Sequence, residues 1–127
     1  MESIISDMEN CIFCKIANKE IPAEVVYEDE KYLAFLSIDP LSPGHTLVIP
    51  KNHERWVWDV PNTNEYFSVA QKIAKAQQKA FSTDVIFSHI EGKEVSHAHI
   101  WVYPDTEISG DKTNFALNAQ KIRDNLN

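Results

Sequence analysis

Two cysteines in 127 residues, Cys11 and Cys14, are too few for a disulfide framework. No apolar run approaches the ~18 residues a membrane helix needs, which excludes a helical spanning segment. Positive charge is also short, with 12 Lys and Arg against 19 Asp and Glu and a net charge of −7. That balance argues against a nucleic-acid backbone as the main partner, though not against a small anionic ligand in a locally positive pocket. Residues 1–10 carry Glu2, Asp7 and Glu9 where a secretory leader would carry positive charge. The expectation is a cytoplasmic protein with a flexible tail over residues 1–10. Internal repeats and low-complexity segments are absent. The composition, 43% hydrophobic and 24% charged, is that of an ordinary globular protein. Residues 11–127 are enough for one domain with a core.

The strongest pattern is His97 to Pro104. It alternates, with Ala98, Ile100 and Val102 on one face of an extended strand and His97, His99, Trp101 and Tyr103 on the other. Two imidazoles on one strand face can bind metal, act as acid, base or nucleophile, or simply be solvated. Upstream, Val25 to Glu28 and Tyr32 to Leu36 read as a hairpin around the acidic turn Asp29-Glu30. The cluster from Asp39 to Gly44 is a turn, and His45 to Ile49 a strand closed by Pro50. The spacing of Trp56 and Trp58 would put both indoles on one side of an extended piece, where packing is favoured over a ligand role. Asn62 with Glu65 resembles a capping box. The stripe Tyr66, Val69, Ala70, Ile73, Ala76 and Ala80 predicts a long helix. Asp84 to Ile90 and Val95 to Tyr103 complete the strands, and Asn114 to Leu126 predicts a terminal helix. The sum is an α+β domain, an antiparallel sheet with one main helix.

Four stretches carry a resemblance: Cys11-Ile-Phe-Cys-Lys-Ile, the block from Ile21 to Leu36, Ser42 to His53, and Gly92-Lys-Glu-Val-Ser-His-Ala-His99. In this order and spacing the chain resembles the histidine triad (HIT) family of nucleotide hydrolases and transferases, specifically its small bacterial zinc-binding members. The resemblance implies a five-stranded antiparallel sheet with helices packed on it, a homodimer, and a small-molecule nucleotide substrate. His99 matches the nucleophile that attacks an α-phosphorus to give a nucleotidyl-histidine. A neutral imidazole can do this at pH 7 provided its other nitrogen is fixed by a hydrogen bond. Backbone donors in the turn Gly92 to Val95 would stabilise charge on the phosphoryl oxygens.

For Cys11 and Cys14 the spacing alone leaves metal binding, redox chemistry and two buried free thiols open. By the resemblance, Cys11, Cys14, His53 and His97 are the ligands of a structural zinc. Substrate contacts fall to Ser37, Asp39, Lys93, Val95 and Trp101. His45 reads as a structural contact and His89 as a surface residue.

Three positions depart from the family pattern. Trp101 stands at the third triad position, and indole cannot deliver a proton at neutral pH. The galactose-1-phosphate uridylyltransferase branch is similar in lacking a histidine there and works with good leaving groups. Ser37 replaces the ribose-binding aspartate, with Asp39 two residues on, and Lys93 replaces a glutamine beside a shortened loop. One reading is a HIT enzyme acting at a nucleoside α-phosphate and favouring leaving groups that need no proton, such as pyrophosphate. The other is a binding or regulatory module that keeps the zinc-stabilised fold with weakened catalysis.

Overall fold

A computed structural model describes residues 10–126. The tail expected over residues 1–10 lies outside the described residues except for Asn10. The elements run α1 (Ile12–Ala17), β1 (Val25–Glu28), β2 (Tyr32–Leu36), β3 (Thr46–Pro50), a 3-10 turn (Val57–Asp59), α2 (Thr63–Ala80), β4 (Ile86–His89), β5 (Ile100–Pro104) and α3 (Phe115–Asp124). The five strands form one sheet in the order β1-β2-β3-β5-β4, every neighbouring pair antiparallel. This is the α+β architecture that the sequence pattern predicts.

Both faces of the sheet are covered, and that decides where the site lies. On one face Tyr32, Ala34, Leu36, Val48, Ile100 and Val102 pack with α2 and α3 in the larger core. On the other, Leu33, Phe35 and Ile49 pack with Cys11, Phe13 and Ile16 from the α1 segment. Strand β2 is therefore buried at every position. A strand covered on both sides reads as a continuous apolar run rather than an alternation. Ala98, Ile100 and Val102 are at most 2% exposed and face the larger core, so the histidines are turned towards α1.

The histidine strand is shorter than the alternation suggests. The β3–β5 ladder pairs Thr46 with Val102 and Val48 with Ile100, then stops. Pro50 comes next on β3 and has no N–H to offer. Its carbonyl instead accepts the His97 ring at 2.8 Å, and the Ala98 N–H turns to the Glu54 carbonyl at 2.7 Å.

Two other expectations need correction. Asn62 adopts a left-handed backbone (φ 57°) and makes no side-chain cap, while Glu65 pairs with Lys31 at 3.2 Å, so no capping box forms. The tryptophan segment is not extended. Val57 and Val60, three apart, both plug into the core and wind a 3-10 turn between them, which leaves Trp58 67% exposed.

One core residue is hidden by its polarity. Gln77 is fully buried on α2, and its amide donates to the carbonyls of Gly44 at 3.0 Å and Val102 at 2.8 Å. Gln77→Leu would leave both acceptors without that donor. We expect a loss of about 1–3 kcal/mol in urea unfolding, and an unchanged midpoint would contradict it. Among the described residues, no helix is long and apolar enough to cross a membrane.

Candidate active site and metal centre

Cys11 caps the first turn of α1, where its sulfur accepts the Cys14 N–H at 3.3 Å. This short helical turn brings both sulfurs to one place, opposite two imidazoles. His97 Nδ1 lies 3.2 Å from Cys11 Sγ and 3.4 Å from Cys14 Sγ, and His53 Nδ1 lies 3.2 Å from Cys14 Sγ. All four ligand atoms fall within 4.8 Å of one another. With Zn–S near 2.3 Å and Zn–N near 2.0 Å, a tetrahedron has S···N edges of about 3.5 Å. The spacing and the soft, mixed donor set fit that ion. His97 Nε2 donates to the Pro50 carbonyl, which turns Nδ1 to the sulfurs. Burial pulls His97 down to about 4, so its ring is neutral and can donate a lone pair. Burial and then the hydrogen bond with Cys11 push the Cys14 thiol up to about 12. A metal would reverse that by taking the thiolate.

Two residues on, His99 is 7% exposed and edge-on to Phe13, ring centroids 5.1 Å apart. Its Nδ1 donates to the His97 carbonyl at 2.8 Å, which leaves the Nε2 lone pair free. Burial lowers the His99 pKa; the bond to the His97 carbonyl and the charge of Glu91 oppose it. The imidazole is neutral at pH 7.

His99 lines a cavity of about 270 Å³ with Trp101, Ser37, Asp39, Val95, Phe13, His45, Leu47, Glu91 and Glu94. A larger and more apolar cavity of about 640 Å³ adjoins it, bounded by residues such as Ile12, Ile16, Ile21, Pro22 and Ile38. Phe13, Ser37, Asp39, Leu47, Glu94 and Val95 line both. Of the substrate contacts expected from the sequence, Ser37, Asp39, Val95 and Trp101 thus meet at His99. Lys93 does not: its side chain is exposed and outside the lining, and its N–H donates to Glu91 Oε1 at 2.8 Å. The turn that carries Glu91 is held by Gly92 at φ 73°, where a Cβ would stand 2.9 Å from the Trp56 ring. Trp56 thus packs beneath the site.

A family model, the HIT domain, matches residues 18–108. The chain belongs to the HIT family. The HIT fold is shared with a Hit-like protein from Bartonella henselae (TM-score 0.83, 40% identity, 93% of this chain and 98% of that one covered). It is shared also with a zinc-bound histidine triad family protein from Mycobacterium smegmatis (TM-score 0.79, 31% identity, 92% and 93% covered). An adenosine 5'-monophosphoramidase of Saccharomyces cerevisiae is 38% identical over 99 residues, 74% of this chain and 61% of the yeast protein.

Sequence reasoning passed over Glu91 and the place of His45 in this HIT site. Glu91 stands between two predicted strands, and nothing in its local sequence points to the nucleophile. His45 is 2% exposed; its Nδ1 accepts the Leu41 N–H at 3.0 Å, and burial pulls it down to about 4. An unfolded histidine titrates near 6.5, so between those values the unfolded chain binds a proton that the folded chain does not. Stability is complete above pH ~6.5 and falls as pH drops towards ~4, by up to about 3 kcal/mol. Urea midpoints of the wild type across this window should slope more steeply than those of His45→Gln. Parallel slopes would contradict the assignment.

Proposed function

We propose that this HIT protein is a hydrolase or nucleotidyl transferase acting at a nucleoside α-phosphate through His99. The observation that carries the reading is the His99 ring, with Nδ1 committed to the His97 carbonyl and Nε2 left at a cavity that adjoins a larger apolar one. The larger cavity suits a base. Ser37 and Asp39, which line both cavities, suit a ribose between base and phosphate. In the first step, Nε2 forms a bond to Pα while the bond from Pα to the leaving atom breaks. The leaving atom keeps the electron pair and takes a proton from solvent where its basicity requires one. In the second, water attacks Pα, the N–P bond returns its pair to Nε2, and water's proton goes to solvent. The yeast relative's name, adenosine 5'-monophosphoramidase, supports the class.

Cys11, Cys14, His53 and His97 would hold a zinc, which supplies a closed cross-link between the α1 segment and the histidine strand rather than an open catalytic position. The zinc-bound Mycobacterium smegmatis relative supports zinc as the ion. The homodimer implied by the resemblance would use β4, a sheet edge that among the described residues pairs with β5 alone and lies beside the exposed Val85 and Phe87. The test is turnover of adenosine and guanosine polyphosphates and phosphoramidates by the zinc-loaded chain, with His99→Ala as control. Turnover that survives in the variant would overturn the reading.

A further inference from the structure

Arg55 is a partly buried cation with no anion beside it. It sits two residues after His53, next to Glu54, whose carbonyl takes the Ala98 N–H. Its guanidinium lies over the Trp56 ring, 4.0 Å from the centroid. Among the described residues it has no ion-pair partner, and its Nη1 is buried without a hydrogen-bond partner. A guanidinium stacked on an indole uses its face and leaves the N–H groups of its rim available. A buried charged donor with nothing to donate to costs free energy, and such a group calls for a missing acceptor.

The place of Arg55 says which acceptor. A Cβ on Gly92 would stand 3.3 Å from Nη1 and 2.9 Å from the Trp56 ring, so glycine lets this turn settle on the stacked pair. Glu91, Glu94 and Val95, from the same turn, line the cavity at His99. Arg55 lies outside that lining, yet its charge reaches the His99 ring, where it opposes the charge of Glu91. The lining itself meets a phosphoryl group with three carboxylates, Asp39, Glu91 and Glu94, and with no lysine or arginine. Their repulsion has to be offset before a phosphate dianion can rest beside a neutral imidazole. We infer that Arg55 supplies the positive charge that holds a nucleoside 5'-monophosphoryl group at His99, acting from behind the Gly92 turn. It is a positioning residue. Trp56 fixes the plane of the guanidinium, Gly92 lets the turn close on it, and partial burial protects its field from screening by salt.

The inference rests on the α-phosphate reading but is tested by binding, without turnover. Dissociation constants are measured by calorimetry for adenosine, guanosine and their 5'-monophosphates on the zinc-loaded full chain. The wild type should bind the preferred monophosphate about tenfold more tightly than its nucleoside. In Arg55→Met that ratio should fall to one or below, because the carboxylates remain, while the nucleoside binds as before in the untouched apolar cavity. Arg55→Lys keeps the charge and should keep most of the ratio. Three results overturn the inference and leave the α-phosphate reading standing: a ratio unchanged in Arg55→Met, an equal loss of nucleoside and monophosphate there, or a ratio in Arg55→Lys as low as in Arg55→Met. The last two would mark Arg55 as packing for Trp56 and the turn. A wild type that binds nucleoside and monophosphate equally also overturns the inference, and one that binds neither monophosphate overturns the α-phosphate reading with it.

Discussion

His99→Ala should lower turnover at the α-phosphate by about 10³-fold or more while leaving the fold and the bound metal in place. Removing a nucleophile that forms a covalent intermediate abolishes the path itself, and what remains is whatever binding and polarisation achieve alone. The effect can be read cleanly because His99 is not one of the four candidate metal ligands and its alternate neighbours, Ala98 and Ile100, keep their places in the larger core. The variant should still bind nucleotide, since the apolar cavity and Ser37 and Asp39 are untouched. His99→Gln is the sharper control, for it restores a polar group at the cavity without a nucleophile. Substantial turnover in either variant would mean that another group attacks phosphorus.

Loss of the metal is the second large effect. The full chain should carry roughly one zinc, and Cys14→Ser should carry almost none. The α1 segment is tied to the sheet by Phe13, Ile16 and their neighbours as well as by the ligands, so the variant should remain folded but weakened. A loss of about 3 kcal/mol would lower the melting temperature by roughly 10 °C. Turnover should fall as well, by about tenfold, because His97 is both a proposed ligand and the carbonyl that orients His99. A zinc-free wild type with the full melting temperature would remove the structural role of the site.

Much of this was legible before any coordinates, and the reason is physical. The alternation of Ala98, Ile100 and Val102 fixes which face of the strand is core. Cys11 and Cys14 stand three apart, which one helical turn converts into adjacent sulfurs. These are signals of local geometry, and local geometry is what a sequence encodes most directly. Other features depend on partners far along the chain. Gln77 looks like a solvated helix residue until Gly44 and Val102 are brought beside it. Asn62 and Glu65 match a capping pattern, but Lys31, 34 residues away, takes the glutamate. Strand β5 begins late because the β3–β5 register brings Pro50, which has no N–H to give, opposite Ala98. Glu91 and His45 meet His99 only once the loops around the sheet are in place.

The measurement that tests the central claim most directly is a rapid quench of the zinc-loaded chain with substrate, under alkaline denaturing conditions, followed by mass analysis of its peptides. The account predicts a transient adduct of one nucleoside monophosphate on the peptide containing His97 and His99, localised to His99 and absent from His99→Ala. Turnover with no adduct on His99 at any time, or an adduct on another residue, would contradict it.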